Sequence, residues 1–313
     1  SRDPGRFYIL AGLEHSGLLF GAKNAIPLLE QLHILHDIGV DGIKLLASKP
    51  TERKRLGVPL DSPYFSDFFK ECEKMRISLL WHVADPEEFW EPEKLPEWAQ
   101  EKGWGYDDSY STKEDLYDET LNVLRRHPSL QVVFPHFFFL SADLQRANKL
   151  LNEFPRVNLD LSPGIELFYN MSLKKEETKE FFCEFSDRIL FGTDILGSLS
   201  VEEMKKRAGI VYRFLTEDKE FRVPERADFL LGQPGDGIIR GLQLPGGIVN
   251  SITMHNFHRI FGQLPRLLKV PAAREECLRL GRIESEVNSI SIKETEGYQA
   301  AEKLGNITIL MKG

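Results

Sequence analysis

The stretch ISLLWHV, residues 77–83, carries the clearest fold signal in this sequence. It is hydrophobic almost throughout instead of alternating, and a single histidine, His82, stands near its end. Near-continuous apolar runs of this length are typical of strands that are buried on both faces of a parallel sheet. The stretch therefore predicts an internal parallel strand that places a polar side chain at its carboxyl end.

Five other runs share this character and predict further strands: FYILAGL (7–13), GIKLL (42–46), QVVFPHFF (131–138), VNLDL (157–161) and ILFGTD (189–194). Between the runs lie amphipathic segments with apolar residues at helical spacing, namely residues 25–38, 62–75, 113–126, 141–154 and 175–185. In the fourth of these segments, Ser141 is the predicted N-cap. The alternation of strands and helices predicts a parallel α/β fold.

The composition narrows the partners that the chain can have. Of its 313 residues, 42% are hydrophobic and 28% charged, and 40 Lys and Arg against 48 Asp and Glu give a net charge of −8. An acidic chain without a basic tract is a poor partner for nucleic acid, and no apolar run approaches the ~18 residues of a membrane helix. Three scattered cysteines argue against a disulfide framework and favour a reducing, cytoplasmic location. The expected partner is a small-molecule substrate, and assembly into a homo-oligomer stays open.

Two regions depart from the strand–helix alternation. Residues 85–112 hold three of the four tryptophans, Trp90, Trp98 and Trp104, and directly follow the strand end that carries a histidine. Long irregular segments in compact domains are often functional, so we expect this one to cover the mouth of an active site. After residue 194 the pattern loosens, and we predict a barrel-like domain over residues 1–262 with a helical or irregular extension over 263–313.

Polar side chains stand at the ends of three predicted strands: His82, His136 and Asp194. The carboxyl ends of parallel strands meet on one face of such a fold, so these residues are expected to converge there. Imidazole and carboxylate groups suit zinc, iron or manganese, which makes the three a candidate metal-ligand set. For each residue alone, a hydrogen-bonded buried histidine or a helix-capping aspartate is the ordinary alternative.

The runs GIKLL, LLWHVADPEEFW, VVFPHF, VNLDLSPGIE and RILFGTD resemble the amidohydrolase-related metal-dependent hydrolases. That family includes decarboxylases of the aminocarboxymuconate-semialdehyde type, and the resemblance extends over about residues 5–261. It implies a (β/α)8 TIM-barrel-like fold with a catalytic divalent metal, most often zinc, at its mouth. By the same resemblance His82 is a metal ligand, His136 is a catalytic residue or a further ligand, and Asp194 is both a ligand and a proton acceptor.

One feature of the family pattern is missing, because no H-x-H pair occurs anywhere in the sequence. The family places that pair at the end of its first strand, where it supplies two metal ligands. The nearest match, His255-Asn-Phe-His258, has another spacing and lies in a predicted late helix. Counting back from Asp194 as strand eight makes residues 7–13 strand three. The sequence therefore predicts either a chain without its natural beginning, which we favour, or an open six-stranded core, and in both cases weak or absent metal binding.

Three functions follow as hypotheses. The first is a metal-dependent hydrolase, in which activated water attacks an ester, amide or lactone, Asp194 accepts the proton and His136 stabilises charge. The second is a metal-dependent decarboxylase of an unsaturated or aromatic carboxylate. The third, from another class, is a catalytically inactive, metal-free binding or scaffold protein.

Further residues near the predicted strand ends are candidates for contact with a substrate. For most of them a structural role is the alternative, such as capping a loop or orienting a histidine. At Lys44 a third interpretation is a carbamylated lysine that bridges two metals. They are Lys44, Glu14, His15, Asp85, Glu166 and Tyr169.

Overall fold

The computed structural model describes residues 5–164, 166–223 and 237–310, with side chains up to residue 306. At its centre is a sheet of six parallel strands, paired in the order in which they occur along the chain. The strands are β1 (Leu10–Ala11), β2 (Gly42–Ser48), β3 (Leu79–Val83), β4 (Val132–Phe134), β5 (Val157–Asp160) and β6 (Ile189–Leu190). Each lies on one of the six predicted apolar runs, and the predicted α/β class is confirmed.

The register of the sheet explains why these runs are continuously apolar. Leu79 of β3 is paired with Ile43 on one side and with Val132 on the other. All three side chains are fully buried, because helices and the interior of the sheet cover both faces. Since every strand points the same way, all carboxyl ends lie along one edge of the sheet.

Helices connect the strands and continue beyond them. They are α1 (Ser16–Phe20), α2 (Leu28–Ile38), α3 (Pro50–Leu56), α4 (Pro63–Met75), α5 (Glu97–Glu101), α6 (Lys113–Arg126), α7 (Leu144–Glu153), α8 (Leu167–Leu173), α9 (Lys175–Glu184), α10 (Val201–Thr216), α11 (Gly246–Asn250), α12 (Asn256–Phe261), α13 (Val270–Asn288) and α14 (Glu296–Leu310). A short antiparallel pair joins β7 (Glu220–Phe221) to β8 (Ile239–Arg240). None of the helices in the described ranges is long and apolar enough to cross a membrane.

The predicted N-cap of α7 is wrong. Asp143 is the cap, because its Oδ1 accepts a hydrogen bond from the backbone N–H of Arg146 at 2.9 Å. Ser141 lies before the helix, where its hydroxyl group accepts a hydrogen bond from Asn170 instead. An aspartate satisfies the free N–H groups of the first turn and also complements the helix dipole.

The helical segment 246–261 lies across the amino ends of the strands. Asn256 donates hydrogen bonds to the carbonyl oxygen of Ile189 at 2.7 Å, and the Ser78 hydroxyl donates to Ile260 at 3.0 Å. In the described part of the chain β6 and β1 do not pair with each other. Segment 246–261 covers the amino ends of the strands between β6 and β1. The carboxyl ends, on the opposite side, stay open.

The last two helices pack against each other and against α2. The backbone N–H of Lys269 donates to the carbonyl oxygen of Ile38 at 2.8 Å, which places the start of α13 beside α2. Gly297 of α14 lies directly against the backbone of α13 near Gly281. In the described part of residues 263–313, the segment predicted as a helical or irregular extension contains the helices α13 and α14. The domain boundary at residue 262 stays a prediction.

Candidate active site

A cavity of about 320 Å³ opens at the carboxyl ends of the strands. His82, His136 and Asp194 all line it, so the structure brings together the three strand-end residues that the sequence singled out. The two imidazole rings are perpendicular neighbours with centroids 5.2 Å apart. Both histidines are buried, whereas Asp194 is exposed at the rim.

Asp85, a predicted substrate contact, lines the cavity and fixes the orientation of His82. Its buried carboxylate accepts a hydrogen bond from His82 Nε2 at 3.2 Å, two from Lys49 Nζ at 3.0 Å and one from the hydroxyl group of Tyr106 at 2.5 Å. Burial alone would raise the pKa of Asp85, but Lys49 and the hydrogen bonds outweigh it and lower that pKa to about 2. Because the carboxylate can only accept, His82 carries its proton on Nε2 and presents a lone pair on Nδ1.

His136 is held by its own backbone and by the strand beside it. Its N–H donates to Asp160 Oδ1 at 3.1 Å, and its Nδ1 lies 3.1 Å from the carbonyl oxygen of Ser162. Burial lowers the pKa of His136 to about 4, so the ring is neutral at neutral pH, with its proton on Nδ1 and a lone pair on Nε2. The carboxylate of Asp160 accepts hydrogen bonds from the backbone N–H groups of His136 and Ser162.

Backbone strain is concentrated around this cavity. Residues 136–139 form a left-handed turn with φ between 51° and 56°, and Ala84 and Asp194 have φ of 60° and 47°. Residues other than glycine adopt this backbone conformation at a cost of about 1 kcal/mol or more each. Such strain persists where surrounding contacts enforce it. Here Asp160 binds the start of the turn, and the hydroxyl group of Tyr117 donates to the carbonyl oxygen of Phe138 at 2.8 Å.

The three strand-end residues are also the metal ligands that the sequence predicts. In residues 5–164, 166–223 and 237–310 no three His, Cys, Asp or Glu side chains are arranged to hold a metal ion. One nitrogen of each imidazole is bonded, to Asp85 in His82 and to Ser162 in His136, which leaves a lone pair on the other nitrogen, as is usual for metal-binding histidines. The three residues line one cavity, and their role as metal ligands and the binding of zinc both stay predictions.

Residues 85–112 form one wall of the cavity, as the sequence predicts. The segment has its own small hydrophobic cluster around Phe89, Ala99 and Tyr106, which makes it an ordered cover. From it, Trp98 and Trp104 line the cavity. Together with Phe139, whose ring stacks on that of His136 at 5.1 Å, they provide flat apolar surfaces.

Four basic side chains line the same cavity: Lys44, Lys49, Lys102 and Arg207. Burial lowers the pKa of Lys44, although Asp160 and Asp194 partly oppose the effect. Sequence reasoning found Lys44 but missed the other three. Lys49 directly follows β2, which is two residues longer than the predicted run 42–46, and Lys102 and Arg207 lie far along the chain from the strands that precede them. Arg207 could have been found, since it interrupts an apolar helical stripe that continues at Ile210, Val211 and Phe214.

Two predicted substrate contacts lie elsewhere. Glu14 and His15 are not among the described residues that line the cavity. Glu14 binds the backbone N–H of Ser16 at 2.8 Å and Arg279 at 3.5 Å, and His15 Nδ1 lies 3.0 Å from the hydroxyl oxygen of Tyr64. These contacts join the connection between β1 and α2 to α13 and α4.

Glu166 and Tyr169 were also predicted to line this cavity, and in the described residues they do not. Tyr169 is buried on α8. Glu166 lines a separate cavity on the far side of Phe139. Pro163 and Gly164 are the residues of this segment that line the first cavity.

Comparison with known proteins gives structural likenesses at low identity. An uncharacterized TIM-barrel protein from Bordetella bronchiseptica is 15% identical with a TM-score of 0.39, and the match covers 59% of this chain and 53% of that one. A 2,6-dihydroxybenzoate decarboxylase from Rhizobium is 15% identical with a TM-score of 0.47, at coverages of 82% and 71%. A dihydroxybenzoic acid decarboxylase from Polaromonas sp. JS666, solved with manganese and an inhibitor, is 13% identical with a TM-score of 0.36, at 65% and 55%.

The chain thus spans about half the length of the Bordetella protein. Among curated proteins no match was found. The family model described as Amidohydrolase matches residues 17–227, which is more than half of the sequence. That stretch contains all three strand-end residues and most of the cavity lining. On this match, the chain belongs to the amidohydrolase family.

Proposed function

We propose that this member of the amidohydrolase family hydrolyses an ester, amide or lactone bond in a small planar molecule that also carries a carboxylate. The observation that carries the proposal is the lining of one cavity by four basic side chains and several aromatic rings. Basic groups bind carboxylates, and flat apolar walls select planar substrates. The volume of about 320 Å³ fits a small molecule.

Hydrolysis needs a group that takes a proton from water, and His136 is placed for this role. Its Nδ1–H is directed at the carbonyl oxygen of Ser162, which leaves the Nε2 lone pair as the acceptor. As the water oxygen bonds to the substrate carbonyl carbon, His136 Nε2 takes the proton and the ammonium group of Lys44 stabilises the oxyanion. When the bond to the leaving group breaks, His136 returns the proton to it. Asp194, at the rim, is a second proton acceptor.

Decarboxylation of an aromatic or unsaturated carboxylate is the second candidate. Burial lowers the pKa of Lys44, which makes its ammonium group a better proton donor. In this reaction the bond between the ring carbon and the carboxylate breaks, carbon dioxide leaves, and Lys44 gives its proton to that carbon. Solvent then returns a proton to Lys44. The rings of Trp98, Trp104 and Phe139 favour this alternative, because they suit an aromatic substrate.

The test follows two products in parallel with the full chain. A panel of carboxylate-bearing lactones and esters is assayed for acid release, and a panel of hydroxybenzoates for carbon dioxide. We expect acid release, with kcat lowered by about 10²-fold or more in His136→Ala. His127→Ala is the matched control, because His127 binds Glu73 at 3.4 Å away from the cavity.

The outcomes separate the three hypotheses. Full turnover by His136→Ala would refute the role given to this residue. Carbon dioxide release without hydrolysis would replace the first proposal with the second. If carboxylates quench the fluorescence of Trp98 and Trp104 by binding but no panel member reacts, the chain is a binding protein and both reactions are refuted.

A further inference from the structure

A second cavity, of about 360 Å³, lies beside the catalytic one, and the ring of Phe139 lines both. Its lining comes from residues 87–94, the start of α6, the connection 139–146 and Glu166. Six acidic and three basic side chains line it in the described part of the chain. Apolar surface is present as well, from Phe139 and Leu140.

The basic side chains of this cavity are already bonded to other carboxylates. The pairs are Lys94 with Glu91, Lys113 with Glu87 and Arg146 with Glu114, at N–O distances of 2.6, 3.1 and 2.7 Å. These six charges therefore balance one another at the edge of the cavity. Asp143, a further acidic residue, caps α7.

Two carboxylates of the lining have no such partner. Glu166 is only 9% exposed, and within the described residues neither of its oxygens has a hydrogen-bond partner. The same holds for Oε2 of Glu88, which lines the same cavity. Burying a carboxylate without a counter-charge or hydrogen bonds is costly, so such a pair calls for a cation.

We propose that this cavity binds a small organic ammonium ion, whose charged nitrogen lies between Glu166 and Glu88. An ammonium group has three donors, enough for both carboxylates. Its carbon chain packs against Phe139 and Leu140. A divalent metal is less suited, because Mg²⁺ and Ca²⁺ require more oxygen ligands and no group of three suitable residues exists in the described part of the chain.

The test measures binding to the full chain, dialysed into phosphate buffer because Tris is itself an amine. The probes are butylammonium chloride, neutral butyramide and magnesium chloride, each titrated by calorimetry. We expect saturable binding of butylammonium alone. In Glu166→Gln it weakens at least about tenfold, since a buried charge loses its partner.

Glu91→Gln is the matched control. It removes the same charge from the same cavity, but from a carboxylate that is already bonded to Lys94. We expect its affinity for butylammonium to stay within about twofold, as for a charge at the rim. Equal weakening in both variants would mean diffuse attraction and refute the site. Binding of butyramide, dependence of magnesium binding on Glu166, or no binding of butylammonium would also refute it. Turnover is not measured, so these outcomes leave the proposed function untouched.

Discussion

The substitution Glu166→Gln also tests whether this carboxyl group is buried without a partner. Burial and the nearby charge of Glu88 raise the pKa of Glu166 to about 7, and the opposing charge of Lys113 does not offset them. Asp85 adds a further small repulsion. In the unfolded chain the same group titrates near its ordinary value of 4.5. The folded protein therefore holds a proton over a pH range in which the unfolded chain has released it.

The difference between the pKa of Glu166 in the folded protein and in the unfolded chain sets how stability changes with pH. Deprotonation favours the unfolded chain as the pH rises from about 4.5 to about 7, so the free energy of unfolding falls over that window and not above it. A difference of about 2.5 pKa units corresponds to about 3 kcal/mol. Glutamine has nearly the same shape and no charge. The variant should match the natural protein near pH 4.5 and be more stable by about 3 kcal/mol near pH 8.

Urea denaturation at several pH values between about 4.5 and 8 measures this difference directly. Other titrating groups contribute to both proteins and cancel in the comparison. Glu91→Gln serves again as the control and should show no growing difference, because its carboxylate is exposed and bonded to Lys94. A difference between Glu166→Gln and the natural protein that is constant with pH would refute the reasoning.

Three further substitutions test a buried ion pair, the contact between α13 and α14, and the hydrogen bond that positions His136. Lys49→Met leaves the Asp85 carboxylate buried without its cation and should lower the free energy of unfolding by about 3 kcal/mol. Adding Asp85→Leu should restore most of that stability. If urea denaturation showed that the effects of the two substitutions simply add, this explanation would be contradicted. Gly297→Ala places a methyl group against the backbone of α13 and should lower the free energy of unfolding by about 1–3 kcal/mol. It should also speed amide hydrogen exchange in α14. Unchanged exchange would contradict the close packing of the two helices. Asp160→Ala removes the acceptor for the backbone N–H of His136 and should lower kcat more than it changes KM. Asp160→Asn keeps an oxygen acceptor and should retain part of the kcat. An effect confined to KM would exclude this positioning role.

The strands were predictable because burial on both faces leaves a local mark in the sequence. Most of the runs are almost continuously apolar, and His82, His136 and Asp194 stand at or near the points where three of the strands leave the sheet. His82 and His136 could be placed on one face by this rule alone, without any knowledge of distances. The rule works because parallel pairing fixes direction, and direction fixes which ends meet.

Other parts of the site had no local signal. The left-handed turn at 136–139 is built from a histidine and three phenylalanines, which do not favour that conformation. It exists because Asp160, on a neighbouring strand, binds its first N–H group. Glu166 was assigned to the wrong cavity for a related reason, since spacing along the sequence does not show which of two neighbouring cavities a side chain lines.

The number of strands also affects how the site is supported. A six-stranded parallel sheet in which β6 and β1 do not pair within the described residues would expose two edges, and exposed edges invite association. Segment 246–261 reduces this exposure because Asn256 binds the carbonyl oxygen of Ile189 at the β6 edge. It lies at the amino ends of the strands, so the carboxyl ends keep their cavity.

The strained residues show which part of the chain determines the geometry of the site. Ala84, residues 136–139 and Asp194 are left-handed at the points where β3, β4 and β6 give way to loops. Relaxing any of them would recover about 1 kcal/mol or more, but at His136, Phe139 and Asp194 it would also redirect side chains that line the cavity. Asp160 and Tyr117 oppose that relaxation through buried hydrogen bonds. Since those partners belong to a strand and a helix, the position of His136 is fixed by the core, whereas the orientation of His82 also depends on Asp85 at the start of segment 85–112.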